Sequence, residues 1–385
     1  MNKSRSLKAL VAGFPAMAYM YTVGSVGFWL PLYLESRGYD YLSLQLIATF
    51  YFASLAFGGL VAGIVTDKVK RPDLVAFLGM SINGLVIIGM YYYYVFRDLV
   101  ILRIIQGLAL STAIPVALGS LSLLFGESLG VGLTSLFMAA GMSFGSLSAG
   151  YIISELGYLP MFIIAGLLSM IAGILSFYIE VPLEASKIKP SILKHLKKLP
   201  WTVIIVLVGI FLRQTFSTGI YAILAVLFNK ILGLTLLATA IALAVNPLVQ
   251  GLISLPVSRT LQRYARILYP IGILLTSLVF IILYYAESAL SVIFAMVVQG
   301  IAFGIVNISG NYLIISNVSL EIRYTSSSLF NLFFNLGWIV GTFIAGIYMK
   351  THDPIGWLII ASIGVALTSI IIMIALYARI RENKS

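Results

Sequence analysis

The sequence predicts an all-α membrane protein: twelve transmembrane helices in two pseudo-symmetric six-helix bundles. Three observations predict it. Of the 385 residues, 61% are hydrophobic and only 10% charged, with a mean hydropathy of +1.06. A water-soluble chain carries roughly a quarter of its residues as charges, so lipid has to cover much of this one. The apolar residues also fall in long unbroken runs. About 20 such residues cross a bilayer core as a helix, whereas barrel strands show a ten-residue alternation. Finally, the chain repeats itself at an offset close to half its length.

The spans are read in order at 8–34, 43–65, 74–96, 99–125, 131–154 and 160–181, then 201–229, 235–257, 266–285, 289–316, 325–349 and 355–378. Backbone groups in lipid must be paired inside their own segment, which helices achieve. The first run is too long for a signal core and has no small-residue cleavage site, so it is expected to be a spanning helix. The tyrosine run 91–94, with Tyr284 and Tyr285, reads as an interfacial aromatic belt. The one clear linker is 182–200, which divides the chain into bundles 1–181 and 201–385.

Twelve crossings return both termini to one side. Of the 24 basic residues, 18 fall on that side, in the tails and the loops after spans 2, 6, 8 and 10, and four on the other: Arg37, Arg97, Lys230 and Lys350. Short cytoplasmic loops retain positive charge. Both termini are therefore expected to be cytoplasmic, in a multi-pass protein of the cytoplasmic membrane. The net charge of +11 follows from this placement. The linker lysines (Lys187, Lys189, Lys194, Lys197 and Lys198) read as a topology anchor facing lipid headgroups. Nucleic acid is not an expected partner, because no aromatic side chain interleaves them before Trp201.

There are no cysteines and only two histidines, His195 and His352, both in loops. That excludes disulfides, thiolate metal sites and an imidazole relay within the bundle. No phosphate-binding loop, metal-ligand spacing or catalytic triad is present. Neither an enzyme, a cofactor nor a metal is expected, and the chain is expected to be a monomer.

The repeat has three parts. Gly59-Leu60 through Val65 and Asp67 lies over Gly251-Leu252 through Val257 and Arg259 at an offset of 192. Gln106-Gly107-Leu108-Ala109 matches Gln299-Gly300-Ile301-Ala302, and Ser135-Leu136-Phe137 matches Ser328-Leu329-Phe330, both at 193. Six spans separate the copies, so the halves enter the membrane in the same direction. Parallel halves of this type enclose a site near the membrane midplane.

Two six-span halves, a long basic middle loop and a glycine-acid-basic stretch after span 2 resemble the major facilitator superfamily. The loop motif is Gly63-Ile64-Val65-Thr66-Asp67-Lys68-Val69-Lys70-Arg71. Lys70 and Pro72 stand where the family has a glycine and a basic residue. The span 4 motif, Arg-x-x-Gln-Gly, is met by Arg103, Gln106 and Gly107. The antiporter glycine-proline signature on span 5 is not met: Gly141, Gly145 and Gly150 are followed by no proline. The resemblance implies that Asp67, with Lys68 or Arg71, closes a cytoplasmic gate in the outward-facing state. Gly59 and Gly63, four apart, would allow close helix packing there.

Two arginines fall inside spans. Arg103 lies about four residues within the outer end of span 4, near enough to snorkel, but Gln106 shares its face. Arg213 lies some twelve residues into span 7, about 18 Å along the helix. A bare cation at that depth costs on the order of 3 kcal/mol or more, and no carboxylate lies deep in any predicted span. An anionic solute is one counter-ion; helix carbonyls and neighbouring amides are the other reading. Gln214, Ser217, Thr218 and Tyr221 share or flank its face. Further interior polar positions are Tyr19 on span 1, Asn83 on span 3 and Asn246 and Gln250 on span 8. Span 10 carries the stripe Gln299, Phe303, Asn307 and Asn311, and span 11 carries Asn331, Asn335 and Trp338. Amides facing lipid would be costly, so these stripes are expected to face inward.

The resemblance thus implies a secondary transporter working by alternating access on a small molecule. Arg213 and the amide stripes suggest a small organic anion or a polar neutral metabolite. An exporter of hydrophobic compounds is the runner-up, although a cationic cargo would want a buried carboxylate. A sensor or lipid-modifying enzyme is a further alternative, and the duplicated plan weighs against it.

Overall fold

The computed structural model describes residues 3–69, 71–93, 95–125, 127–178, 199–318 and 323–382, and these are almost wholly helical. Among them, eleven helices are long and apolar enough to cross a membrane. The exception is span 4, whose place is held by two shorter helices, Phe96–Leu110 and Ala113–Phe125. Pro115 explains the interruption: it has no backbone N–H to give the Ser111 carbonyl. The hydroxyl of Thr112 instead turns back onto Ala109 O at 2.9 Å.

Spans 1 and 7 also depart from regular α-geometry. Span 1 runs Lys3–Thr22, passes through a π-helical turn at Val23–Gly27, and continues as Phe28–Glu35. Pro31 follows the wide turn and cannot donate to Gly27, so the bulge absorbs a missing hydrogen bond. Span 7 is helical over Trp201–Tyr221, breaks at 222–223, and resumes through Leu224–Val226 into a second π-turn, Leu227–Ile231. No proline marks that break. Both spans close on a left-handed glycine, Gly38 at φ 87° and Gly233 at φ 69°, a conformation that glycine adopts without steric cost.

Backbone contacts divide the chain into two units, residues 1–186 with 222–248, and residues 187–221 with 249–385. The hairpin 222–248, formed by the end of span 7 and the start of span 8, therefore groups with the first unit rather than with its sequence neighbours. Its inner face explains this. Leu224, Ala225, Val226, Leu227 and Phe228 are fully buried. Within the same unit, Ala240 abuts Gly150 of span 5, where any side chain would collide with it. Ser143 donates to Ala244 O at 3.0 Å, and Lys230 pairs with Glu35 at 3.4 Å.

Similar helix pairs close each unit. In the first, span 1 packs on span 5, and span 3 on span 6; in the second, span 7 packs on span 11, and span 9 on span 12. The span 1–5 contact is made by Gly141 and Gly145 against the carbonyls of Met17 and Tyr21. The span 7–11 contact is made by Gly337 and Gly341 against the backbone at Phe211 and Thr215. Small residues let two backbones touch, which is how apolar helices associate where burial from water supplies no drive.

Candidate functional site

Arg213 is fully buried in the second unit. Its Nη1 donates to Gln214 Oε1, and its Nε and Nη2 both donate to Thr276 Oγ1 of span 9, at 3.3 and 3.1 Å. The guanidinium lies over the Phe303 ring of span 10, 5.0 Å from its centroid. Hydrogen bonds to a charged group contribute about 1.5–3 kcal/mol each and a desolvated cation–π contact about 2 kcal/mol. These neutral partners offset the burial of the charge and leave it electrically unbalanced, since Arg213 has no ion-pair partner among the described residues.

Tyr221 joins the cation to further buried polar atoms: Ser217 Oγ and Tyr221 Oη of span 7 and Gln299 Oε1 of span 10 meet no partner in full hydrogen-bond geometry. Tyr221 Oη stands within hydrogen-bonding reach of Arg213, Ser217 and Gln299, in loose geometry. An unmet buried polar group costs about 1–3 kcal/mol. Arg213, Ser217, Tyr221 and Gln299 thus form one buried polar cluster within the second unit.

The structure thus brings together Arg213, Gln214, Ser217 and Tyr221, as the span 7 periodicity predicts, and adds Thr276, Gln299 and Phe303. Gln299 and Phe303 belong to the predicted span 10 stripe. Thr276 has only a faint sequence signal, a hydroxyl pair with Ser277 in the middle of an otherwise apolar span. Farther along span 10, Asn311 donates to the carbonyl and side chain of Asn307 at 2.9 and 3.0 Å. Gln250, Asn307, Asn311 and Asn335 are half-buried, and Asn331 is exposed. The hydrogen bonds and ring contact of Arg213 go to Gln214, Thr276 and Phe303 and not to these five. Tyr19 and Asn246 belong to the first unit; Asn246 is half-buried with its Oδ1 unpartnered.

The span 4 motif forms a second, separate cluster within the first unit. Arg103 is 4% exposed, so it does not snorkel. It donates to Gln106 Oε1 at 2.6 Å and covers the Tyr51 ring at 4.2 Å. Tyr51 in turn neighbours Tyr19. Gly107 presses on the span 2 backbone at Tyr51 and Leu55. Arginine, glutamine and glycine act as one unit: the first two pair across one turn, and the third lets span 2 come close enough to present its tyrosine.

At the loop motif, Gly63, Asp67 and Lys68 fall outside the residues whose side chains are described, as does the basic linker over 179–198. Arg71 makes a two-point contact with Asp73, at 3.0 and 2.8 Å. Gly59 meets nothing within 4 Å; the close approach between spans 2 and 4 is made by its neighbour Gly58, against Leu108 and Ser111.

Long apolar helices in repeated pairs, with polar clusters buried within each unit, define a polytopic helical membrane protein. The family model of the Major Facilitator Superfamily matches residues 12–244 and again 206–385. This chain belongs to that superfamily of transporters. Its members bind small-molecule substrates within the membrane. Among solved structures it is similar to a point mutant of the nucleoside transporter NupG, with a TM-score of 0.79, 17% identity and coverage of 97% of this chain and 99% of the other. It is also similar to a bacterial homologue of the human lysosomal transporter Spinster, inward-facing and unoccupied, with a TM-score of 0.77, 12% identity and 98% coverage of each. At these identities the likeness is one of fold. No curated protein sequence matches the chain.

Proposed function

We propose that the protein is a secondary transporter in which the Arg213 cluster receives a small organic solute through an anionic or strongly polar group. The observation that carries this reading is the fully buried guanidinium with only neutral partners, beside the loosely bonded Ser217, Tyr221 and Gln299. A bound anion would balance the charge, and its oxygens would accept from the guanidinium and from the Ser217 and Tyr221 hydroxyls. The sequence halves 1–181 and 201–385 would be the moving bodies, with both termini on the cytoplasmic side of the cytoplasmic membrane and one chain forming the working unit. Asp67 and Arg71 would serve the cytoplasmic gate, and Arg103 with Gln106 would brace the first half.

Gln214→Glu tests the reading, because it leaves the arginine in place and supplies a resident carboxylate. Flux of the transported anion in proteoliposomes is expected to fall by about a hundredfold, the scale of a buried charge pair, while the protein elutes as a single folded species. Arg213→Ala should abolish the same flux. Full transport by folded Gln214→Glu protein would sink the anion reading.

A further inference from the structure

We infer that the connection between spans 8 and 9 is a docking site for the phosphodiester headgroup of an anionic phospholipid, held by Arg259, Arg263 and Arg266. The site is separate from the Arg213 cluster and does not depend on which solute is carried. The three arginines are exposed, and among the described residues none of them has an ion-pair partner. No aspartate or glutamate occurs between Gly251 and Ala286, so the stretch is purely cationic.

Basic loops also set the orientation of a membrane protein without binding any particular lipid, and the internal repeat separates the two roles. At the offset of 192, Arg263 corresponds to Arg71. Arg71 is neutralised by its neighbour Asp73, in the first turn of the span 3 helix Pro72–Tyr92, through the two-point contact described above. The counterpart of Asp73 is Ala265, and the counterpart of Asp67 is Arg259. The second copy thus keeps the arginine, lacks both acids and has a third arginine, Arg266, where the first has Leu74. The first copy shows that such a loop stays basic with its acids present, so orientation alone does not call for their loss. The first turn of the span 9 helix Leu261–Tyr284 also holds no acid, although the positive end of a helix dipole disfavours cations.

The surroundings suit a lipid better than a dissolved ion. Span 9 buries Leu261, Ala265 and Tyr269, spaced by four, which turns Arg263, Arg266 and Ile267 to the opposite face. Arg263 lies over the Tyr264 ring, 5.1 Å from its centroid. That contact uses the face of the guanidinium, whereas phosphate oxygens pair with its N–H edge. Tyr264 and Ile267 are 40% and 39% exposed, apolar surface beside the charges that acyl chains would cover.

The test is native mass spectrometry of the full-length protein in detergent, offered phosphatidylglycerol and phosphatidylcholine with identical acyl chains. The two lipids share the phosphate and the tails and differ in net charge. Phosphatidylglycerol is expected to be retained about tenfold more strongly, a modest share of what three basic side chains contribute at an anionic surface. Arg259→Gln, Arg263→Gln and Arg266→Gln together should bring the two lipids to near equality; all three side chains are exposed, so the core packing is untouched. Lys194→Gln, Lys197→Gln and Lys198→Gln together remove as many charges from the linker and should leave the preference nearly unchanged. Equal retention of the two lipids by the unaltered protein overturns the inference. So does an equal loss in the linker variant, which would make total charge responsible and not this loop. Displacement of phosphatidylglycerol by soluble glycerol phosphate would assign the arginines to a dissolved anion and overturn the lipid.

Discussion

A guanidinium buried among apolar helices must find its compensation within one side chain's reach, and Arg213 finds most of it on a single atom. Thr276 Oγ1 accepts from both Nε and Nη2 and sits one turn from Gly272 O, at 3.2 Å. Thr276→Val removes that acceptor at almost unchanged volume. It is expected to destabilise the protein by about 1–3 kcal/mol, read as a lower thermal midpoint in detergent, whereas Thr276→Ser should restore the wild-type value. A Thr276→Val protein as stable as wild type would mean the guanidinium has another acceptor within reach. The position of Arg213 and its same-face neighbours was legible in sequence, because a 3.6-residue period orders residues on one helix. Thr276 was not, because its contact crosses 63 residues and its own span shows one hydroxyl pair among apolar side chains.

For the elements, the glycines do the sorting. The sequence marks Gly59 for helix contact by its spacing from Gly63, yet space around Gly59 is open and Gly58 makes the contact. Spacing identifies a pair of small residues; the rotation of the helix about its axis decides which one faces a neighbour. Gly59→Ala is therefore expected to change the thermal midpoint hardly at all. Gly145→Ala, which would drive a methyl against the Tyr21 carbonyl, should cost about 1–3 kcal/mol as overpacking. Comparison of the two midpoints checks the assignment, and equal values would count against it. The sequence reads 99–125 as one span, and the break there follows from Pro115 although Pro15 and Pro270 lie inside continuous helices; the break at 222–223 lies in a run with no proline.

At the scale of the molecule, the hairpin 222–248 belongs by sequence to the second half and by contact to the first unit. The Glu35–Lys230 pair is partly exposed, at 28% and 46%. Such a pair contributes at most about 1 kcal/mol, so Lys230→Ala should leave stability almost unchanged. If transport requires the hairpin to leave the first unit, tying the two positions together should stop it. The natural chain has no cysteine, so Glu35→Cys with Lys230→Cys can be joined by a short bis-maleimide without background. Proteoliposome flux is expected to vanish on cross-linking and to persist in the untreated double variant; undiminished flux in the cross-linked protein would show that the hairpin need not move.

By itself the sequence determined that this protein lives in a bilayer, that it is built of repeated apolar helices in two related halves, and that one deep arginine lacks a counter-charge. These are properties of composition, run length and period, which act within twenty or thirty residues or recur along the chain. Tertiary structure alone decided that Thr276 and Phe303 meet Arg213 and Gln299 meets Tyr221, that Gly58 rather than Gly59 is pressed, and that the 222–248 hairpin packs on Gly150 and Glu35. Each of those depends on the rotation and depth of one helix against another. In an apolar chain such registers are set by the fit of small residues and a few hydrogen bonds, and hydrophobic pattern carries no record of them.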